Sequence, residues 1–172
     1  DDMGLGKTHQ AMALMVWLKE KQKKQEPFLV VCPTTVISHW RAKIQDHAQA
    51  LTAVVYHGGD RSIEEVLKQG NVLLTSYGIL RNDILALKKI SFSLAVFDEV
   101  QNLKNRDTHS YQAASLIQAK MRMGLTGTPI ENSLIELKSL FDLVLPGYLG
   151  SDEEYAARYI APAAGAATGL PR

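Results

Sequence analysis

Five short runs, Phe28–Cys32, Ala53–Tyr56, Val72–Thr75, Leu94–Phe97 and Met121–Leu125, are β-branched and nearly continuous in apolar residues, and stretches with helical spacing separate them. A strand that is apolar at successive positions has no face to offer to water, so it needs cover on both sides. Strands separated by helix-length segments are joined by crossovers, which makes the sheet parallel. The pattern predicts an α/β fold with a mainly parallel sheet between two helical layers, and 172 residues suffice for one such domain.

The helical stretches carry their own signals. Thr8–Lys24 places Ala11, Leu14, Met15 and Leu18 on one stripe, ends in Lys19, Lys21, Lys23 and Lys24, and is stopped by Pro27. A second helix is expected over Thr35–Ala48, with Thr34 or Thr35 as its N-cap. A third over Ser62–Gln69 opens on the capping-box pair Ser62 and Glu65 and closes at Gly70. Further helices are expected at Gly78–Lys88, Thr108–Ala119, Ser133–Leu143 and Asp152–Tyr159. Residues 161–172, rich in Ala, Gly and Pro, have little to bury and read as a flexible tail or linker stub after a domain spanning 1–160.

Composition narrows the function classes less than the motifs do. The formal net charge is +1, so bulk charge gives no argument for a nucleic-acid partner. A single cysteine, Cys32, excludes an intrachain disulfide and fits a reducing, intracellular setting. No apolar run approaches the ~20 residues of a membrane helix. His9, His39, His47, His57 and His109 show no metal spacing with Cys32, so no zinc is expected. Trp40 reads as core, Cys32 as a packed thiol, Gly58-Gly59-Asp60 as a turn and the Lys19–Lys24 run as a solvated helix end.

Two motifs carry chemistry. Gly4-Leu5-Gly6-Lys7-Thr8 opens the first helix. Glycines let the backbone curl so that amide N–H groups converge on an anion, and the helix N-terminus adds its positive end. Lys7 is placed to reach the β- and γ-phosphates of a nucleotide and the Thr8 hydroxyl to ligate Mg²⁺. A full phosphate-loop pattern would carry Gly at position 1, where this chain has Asp1. Asp98-Glu99 follows the apolar run ending at Phe97, at the carboxyl end of a buried strand, where open α/β sheets bind ligands. Asp98 suits Mg²⁺, directly or through water, and Glu99 suits the activation of an attacking water. Taken alone, each motif also reads as a glycine turn or as a solvated strand end. Their order along the chain favours the catalytic reading. Thr126-Gly127-Thr128, after a further apolar strand, reads either as a hydroxyl-capped turn with Pro129 or as a relay sensing the γ-phosphate.

Together these blocks resemble the Swi/Snf-type ATPases of helicase superfamily two. Asp1-Asp2-Met3-Gly4-Leu5-Gly6-Lys7-Thr8 is similar to that family's motif I, in which an acidic pair replaces the first glycine. Val31-Cys32-Pro33-Thr34-Thr35 through Trp40 resembles motif Ia, and Thr75-Ser76-Tyr77-Gly78 through Asp83 the next block. Asp98 through Asn105 resembles motif II, Leu125 through Asn132 motif III, and Leu145 through Ser151 the segment that follows. The chain departs from the family's Asp-Glu-Ala-His with Val100 and Gln101. Gln101 keeps donors and an acceptor but cannot carry a proton.

The resemblance implies the first RecA-like lobe of a P-loop NTPase, incomplete at its start because the chain opens inside the phosphate loop. It implies ATP and Mg²⁺ as cofactors and a second RecA-like lobe in cis that supplies arginine fingers. The isolated chain is expected to be inactive and to fold poorly. The implied partner is duplex DNA, gripped through phosphates without sequence preference, with Pro33, Thr34, Thr35, Thr75, Ser76, Tyr77, Lys104 and Asn105 on the DNA-facing surface. Glu99, Lys7 and Gln101 take catalytic roles, and Gln101, Thr126, Gly127 and Thr128 couple nucleotide to DNA. The implied activity is DNA-dependent ATP hydrolysis driving translocation, as in chromatin remodelling engines. The alternatives are a P-loop NTPase acting on another substrate, or a nucleotide-binding module that does not hydrolyse.

Overall fold

A computed structural model describes residues 6–59, 62–128 and 133–162. The chain runs α1 (Lys7–Lys21), β1 (Phe28–Cys32), α2 (Ile37–His47), β2 (Ala53–Val55), α3 (Ile63–Leu67), β3 (Val72–Ser76), α4 (Tyr77–Asn82), α5 (Ile84–Leu87), β4 (Ser91–Phe97), α6 (His109–Leu116), β5 (Gln118–Gly124), α7 (Leu134–Val144) and α8 (Asp152–Tyr155). All five strands are parallel, in the order β2-β3-β1-β4-β5.

Alternation along the central strands builds two cores. Phe28, Val30 and Cys32 of β1, Val72 and Leu74 of β3, and Leu94 and Val96 of β4 share one apolar cluster with Ala11, Met12 and Met15 of α1 and Trp40 and Ile44 of α2. Leu29, Val31, Leu73, Ala95 and Phe97 point the other way, into a cluster with Leu80 of α4, Ala113 and Ala114 of α6 and Leu140 and Leu143 of α7. The result is the expected three-layer α/β sandwich. Burial at every position of β1 and β3 is what the continuous apolar runs required.

Several local expectations are corrected. Thr34 and Thr35 do not cap α2. They sit exposed in a 3₁₀ turn, Thr34–Val36, that Pro33 opens, and α2 starts at Ile37 with no side-chain cap bond. Ser62 does cap α3, accepting from the Glu65 amide at 3.1 Å, but both halves of a capping box are made at Ser151 and Glu154. The single helix expected over Gly78–Lys88 is two, broken at Asp83. The helix expected to reach Ala119 ends at Leu116, because Ile117 turns extended and β5 begins at Gln118. Among the described residues β5 pairs only with β4 and is half-exposed, Met121 included, so it is not the doubly covered strand expected. The last helix keeps one α turn, α8, and continues as a π turn, Ala156–Ile160. Helical backbone extends through Pro162, two residues beyond the expected boundary, and the remainder of the expected tail lies outside the described residues.

A charged cluster ties the segment after β4 to the last helices. Lys138, buried on α7, bonds Asp142 at 2.8 Å and Asp152 at 3.2 Å, while Arg106 pairs with Asp142 and, at 3.0 Å, with Asp152.

Candidate active site

Because every strand is parallel, all carboxyl ends lie on one edge of the sheet. Pro33 leaves β1 there, Tyr77 leaves β3, Asp98 leaves β4 and Leu125 leaves β5. The connection from β3 to β4 crosses over β1, so the strand order switches direction beside β1, where such sheets form a ligand crevice. The ends of β4 and β5 are laced beyond their ladders: the Asp98 amide donates to the Val31 carbonyl at 2.8 Å, Leu125 to Phe97 at 2.9 Å and Val100 to Leu125 at 2.8 Å.

Gly6 ends the phosphate loop at φ +79°, a left-handed conformation that glycine takes without a Cβ penalty, and α1 starts at the next residue. Gly4 and Leu5 lie outside the described residues. The Lys7 ammonium crosses to the opposite motif and donates to the Thr126 carbonyl at 3.0 Å. A Cβ added to Gly127 would lie 3.1 Å from Lys7 Nζ and 4.0 Å from Glu99 Oε1. Gly127 therefore keeps open the space between the Lys7 ammonium and the Glu99 carboxylate. Thr8 follows Lys7 in the first turn of α1, half-exposed.

Glu99 adopts φ +51°, ψ +50°, and it is the one non-glycine residue with positive φ among the described residues. For an L-residue this region costs roughly 1–2 kcal/mol, and such strain concentrates at functional sites. It turns the chain sharply from β4 into the 3₁₀ segment Val100–Leu103. Gln101 donates its side-chain amide to Glu99 Oε2, and its own amide oxygen is buried with no donor among the described residues. Val100, the bulkier replacement in motif II, turns inward rather than towards the crevice. It packs over β5 where Gly124 leaves room, with a Cβ on Gly124 falling 3.1–3.3 Å from three Val100 carbons.

Asp98 is held at every polar atom. Its amide reaches Val31, its Oδ1 accepts from the Glu99 amide at 2.9 Å, its Oδ2 accepts from the Trp40 indole at 2.8 Å, and its carbonyl accepts from the Tyr77 hydroxyl at 2.6 Å. These donors are neutral. Burial, then the nearby charges of Asp98, Cys32 and Glu99, pushes the Tyr77 phenol well up. Burial, then Asp98, pushes the Cys32 thiol up to about 12. Among the described residues no ion pair reaches Asp98 or Glu99. Two adjacent half-exposed carboxylates with no protein cation paired to them among the described residues are hard oxygen donors of the kind that fits Mg²⁺, which keeps waters and uses few protein ligands.

The residues expected to face DNA divide. Thr34, Thr35, Lys104 and Asn105 are exposed and Pro33 is half-exposed, with Lys104 paired to Glu136 at 3.3 Å. Thr75, Ser76 and Tyr77 are buried, and their hydroxyls are committed: Thr75 donates to the Tyr56 carbonyl at 3.0 Å, Ser76 caps α4 and Tyr77 donates to Asp98. These side chains hold the strand end and offer no surface group. In the third block Thr126 Oγ1 bonds the Thr128 carbonyl at 2.8 Å and accepts from its amide at 3.2 Å, the hydroxyl-capped turn. Residues 129–132 lie outside the described residues. Sequence reasoning missed Trp40 as a site residue. The one available signal was general: a buried indole N–H needs an acceptor, but nothing in the sequence says which.

Comparison with known proteins agrees with this fold. The SNF2-related domain model matches residues 1–170. The TATA-binding protein-associated factor MOT1 of Saccharomyces cerevisiae is 36% identical over 178 residues, covering 95% of this chain and 10% of that protein. The putative ATP-dependent helicase/translocase YwqA of Bacillus subtilis is 36% identical over 166 residues, covering 94% of this chain and 18% of its own length. The Sulfolobus solfataricus SWI2/SNF2 ATPase core solved in complex with dsDNA superposes with a TM-score of 0.81 at 36% identity, covering 96% of this chain and 34% of that one. The chain thus spans a fifth or less of these curated relatives. With a family match over nearly its whole length and a shared fold, it belongs to the SNF2-related family, as the first RecA-like lobe of a Swi/Snf-type ATPase.

Proposed function

We propose that this lobe binds Mg-ATP and, within its full protein, couples ATP hydrolysis to movement along duplex DNA. The observation that carries the reading is the meeting of Lys7, Glu99 and Gly127, from three separate motifs, at one edge of the sheet. In the bound state Lys7 exchanges the Thr126 carbonyl for the β- and γ-phosphates, and the amides opening α1 bind phosphate oxygens. The Thr8 hydroxyl and the Asp98 carboxylate would hold Mg²⁺, which would neutralise phosphate charge. Glu99 takes the proton of the attacking water on a carboxylate oxygen that the strained backbone aims at the site. Gln101 holds that carboxylate by its amide N–H. The turn Thr126-Gly127-Thr128 touches Lys7 through the Thr126 carbonyl, so the departure of Lys7 to phosphate is felt in motif III.

Pro33, Thr34 and Thr35 on the turn before α2, with Lys104 and Asn105 after motif II, form the DNA-facing surface. Their hydroxyl, amide and ammonium groups grip phosphate without reading sequence. The solved relative bound to dsDNA supports a DNA partner. A second lobe in cis completes the cleft. The test is ATP hydrolysis by the full-length protein with and without duplex DNA. Hydrolysis stimulated by DNA of any sequence and weakened by salt is expected, and Glu99→Gln is expected to cut it at least about 10²-fold with ATP still bound. Unchanged hydrolysis in Glu99→Gln would overturn the assignment of the base, and DNA-independent turnover would overturn the motor.

A further inference from the structure

We propose that Trp40 is a positioning residue for the Asp98 carboxylate, so that the helix following the phosphate-gripping turn sets the geometry of the metal site. The inference rests on the reading of Asp98 as a ligand of the nucleotide's ion. Trp40 is 1% exposed, and its single N–H donates at 2.8 Å to Asp98 Oδ2, 58 residues away along the chain. The indole cannot swing aside cheaply, because it lies in the same apolar cluster as Met12 and Met15 of α1, Cys32 of β1 and Val96 of β4. A half-exposed carboxylate at a strand end would ordinarily sample several rotamers in water. Here its Oδ1 is tied to the Glu99 amide and its Oδ2 to the indole, which fixes the plane of the carboxylate and leaves one lone-pair direction on each oxygen.

The choice of donor matters. An ammonium or guanidinium at this distance would neutralise Asp98 and compete with a divalent ion. A neutral indole orients the carboxylate and leaves its charge for the ion, as outer hydrogen-bond partners do in metal sites. Trp40 stands in the first turn of α2, directly after the 3₁₀ turn bearing the exposed Thr34 and Thr35. The exposed turn and the donor that orients Oδ2 thus lie on one continuous segment, Thr34 to Trp40.

The experiment measures binding of a fluorescent N-methylanthraniloyl derivative of ATP to the full-length protein, once with Mg²⁺ and once with EDTA, alongside Mn²⁺ binding followed by electron paramagnetic resonance. Trp40→Phe keeps an aromatic ring and deletes the donor. The expected result is affinity in EDTA within twofold of wild type, with the gain conferred by Mg²⁺ and the affinity for Mn²⁺ each reduced about tenfold, the lower end for loss of an outer-shell partner. Tyr56→Phe is the control: it removes the hydroxyl of a buried aromatic in the other apolar cluster, bonded to Asp83 at 2.9 Å, and is expected to leave the Mg²⁺ gain within twofold. In an Asp98→Asn background, Trp40→Phe is expected to add nothing. Should Trp40→Phe fail to fold, 3-benzothienylalanine at position 40 keeps the bicyclic shape without the N–H. An unchanged Mg²⁺ gain in the Trp40 variant, or an equal loss in Tyr56→Phe, overturns the proposal. Absence of any Mg²⁺ gain in the wild type would instead overturn the nucleotide-site reading beneath it.

Discussion

Replacing Gly127 by alanine places a methyl carbon in the gap between the Lys7 ammonium and the Glu99 carboxylate. The added Cβ lies 3.1 Å from Lys7 Nζ and 4.0 Å from Glu99 Oε1. The first distance is a few tenths of an ångström tighter than ordinary contact, and the atom that must yield is the tip of a flexible lysine, so folding loses little. Gly127 has no positive φ, and removing a glycine at a backbone position that alanine tolerates stabilises by about 0.4–1 kcal/mol through the unfolded chain. Stability is therefore expected to hold or rise slightly. Catalysis has no such slack. Lys7 is pushed from its 3.0 Å bond to the Thr126 carbonyl, and on the proposed reading the methyl stays in the space the terminal phosphate and its attacking water would occupy. Misplacement of about 1 Å at a reacting centre costs on the order of 10²-fold in rate, or about 2.7 kcal/mol. Thermal melts and steady-state ATP hydrolysis of the full-length Gly127→Ala protein measure the two effects separately. Melting unchanged or raised by up to about 4 °C and turnover down ten- to hundredfold are expected. Wild-type turnover would refute the claim that this gap belongs to the nucleotide.

Other perturbations test different joints. Gly124→Ala drives a Cβ into Val100 at 3.1–3.3 Å and is expected to cost about 1–3 kcal/mol by overpacking. Val100→Ala in the same protein should recover part of that loss in urea unfolding, and additive losses would show that the two residues do not share the space. Glu99→Asn relieves the left-handed strain and is expected to stabilise by up to about 1 kcal/mol while abolishing hydrolysis; a destabilised variant would show that the strain is not real. Hydrogen bonds from Lys138, then Arg106, hold the Asp152 carboxyl below the usual carboxylate range. A depressed carboxyl contributes stability that is full above its unfolded value and is lost as pH falls through the folded one. Asp152→Asn should accordingly narrow its stability gap to wild type on acidification below about pH 4, and a gap constant with pH would contradict the pairing.

Much of the fold was legible because burial on both faces leaves a strong signature. The runs at Phe28, Val72 and Leu94 could be nothing but central strands, and their parallel order brought four motif blocks to one edge. β5 was legible only in part. Its first residues lack the continuous apolar run of the central strands, because β5 is half-exposed, so Gln118 and Ala119 read as the end of a helix and Met121 as the start of the strand. Helix starts failed where side-chain chemistry had two uses. Thr34 and Thr35 look like caps, yet Pro33 spends them on an exposed 3₁₀ turn. At the site, motif order singled out Lys7, Asp98, Glu99 and Gly127, but the closeness of Lys7, Glu99 and Gly127 was not readable. Tertiary contacts decided the rest: burial committed Thr75, Ser76 and Tyr77 to internal bonds, and the inward turn of Val100 depended on a glycine one strand away. The partner of the Trp40 indole, 58 residues distant, left no trace in local pattern.

The most direct measurement is a structure of the full-length Glu99→Gln protein with ATP and Mg²⁺. The account predicts that Lys7 Nζ has left the Thr126 carbonyl for phosphate oxygens, with one ion about 2.1 Å from the Thr8 hydroxyl and joined to Asp98 directly or through a single water. Lys7 still resting on Thr126, with the ion bound away from both Thr8 and Asp98, would contradict it.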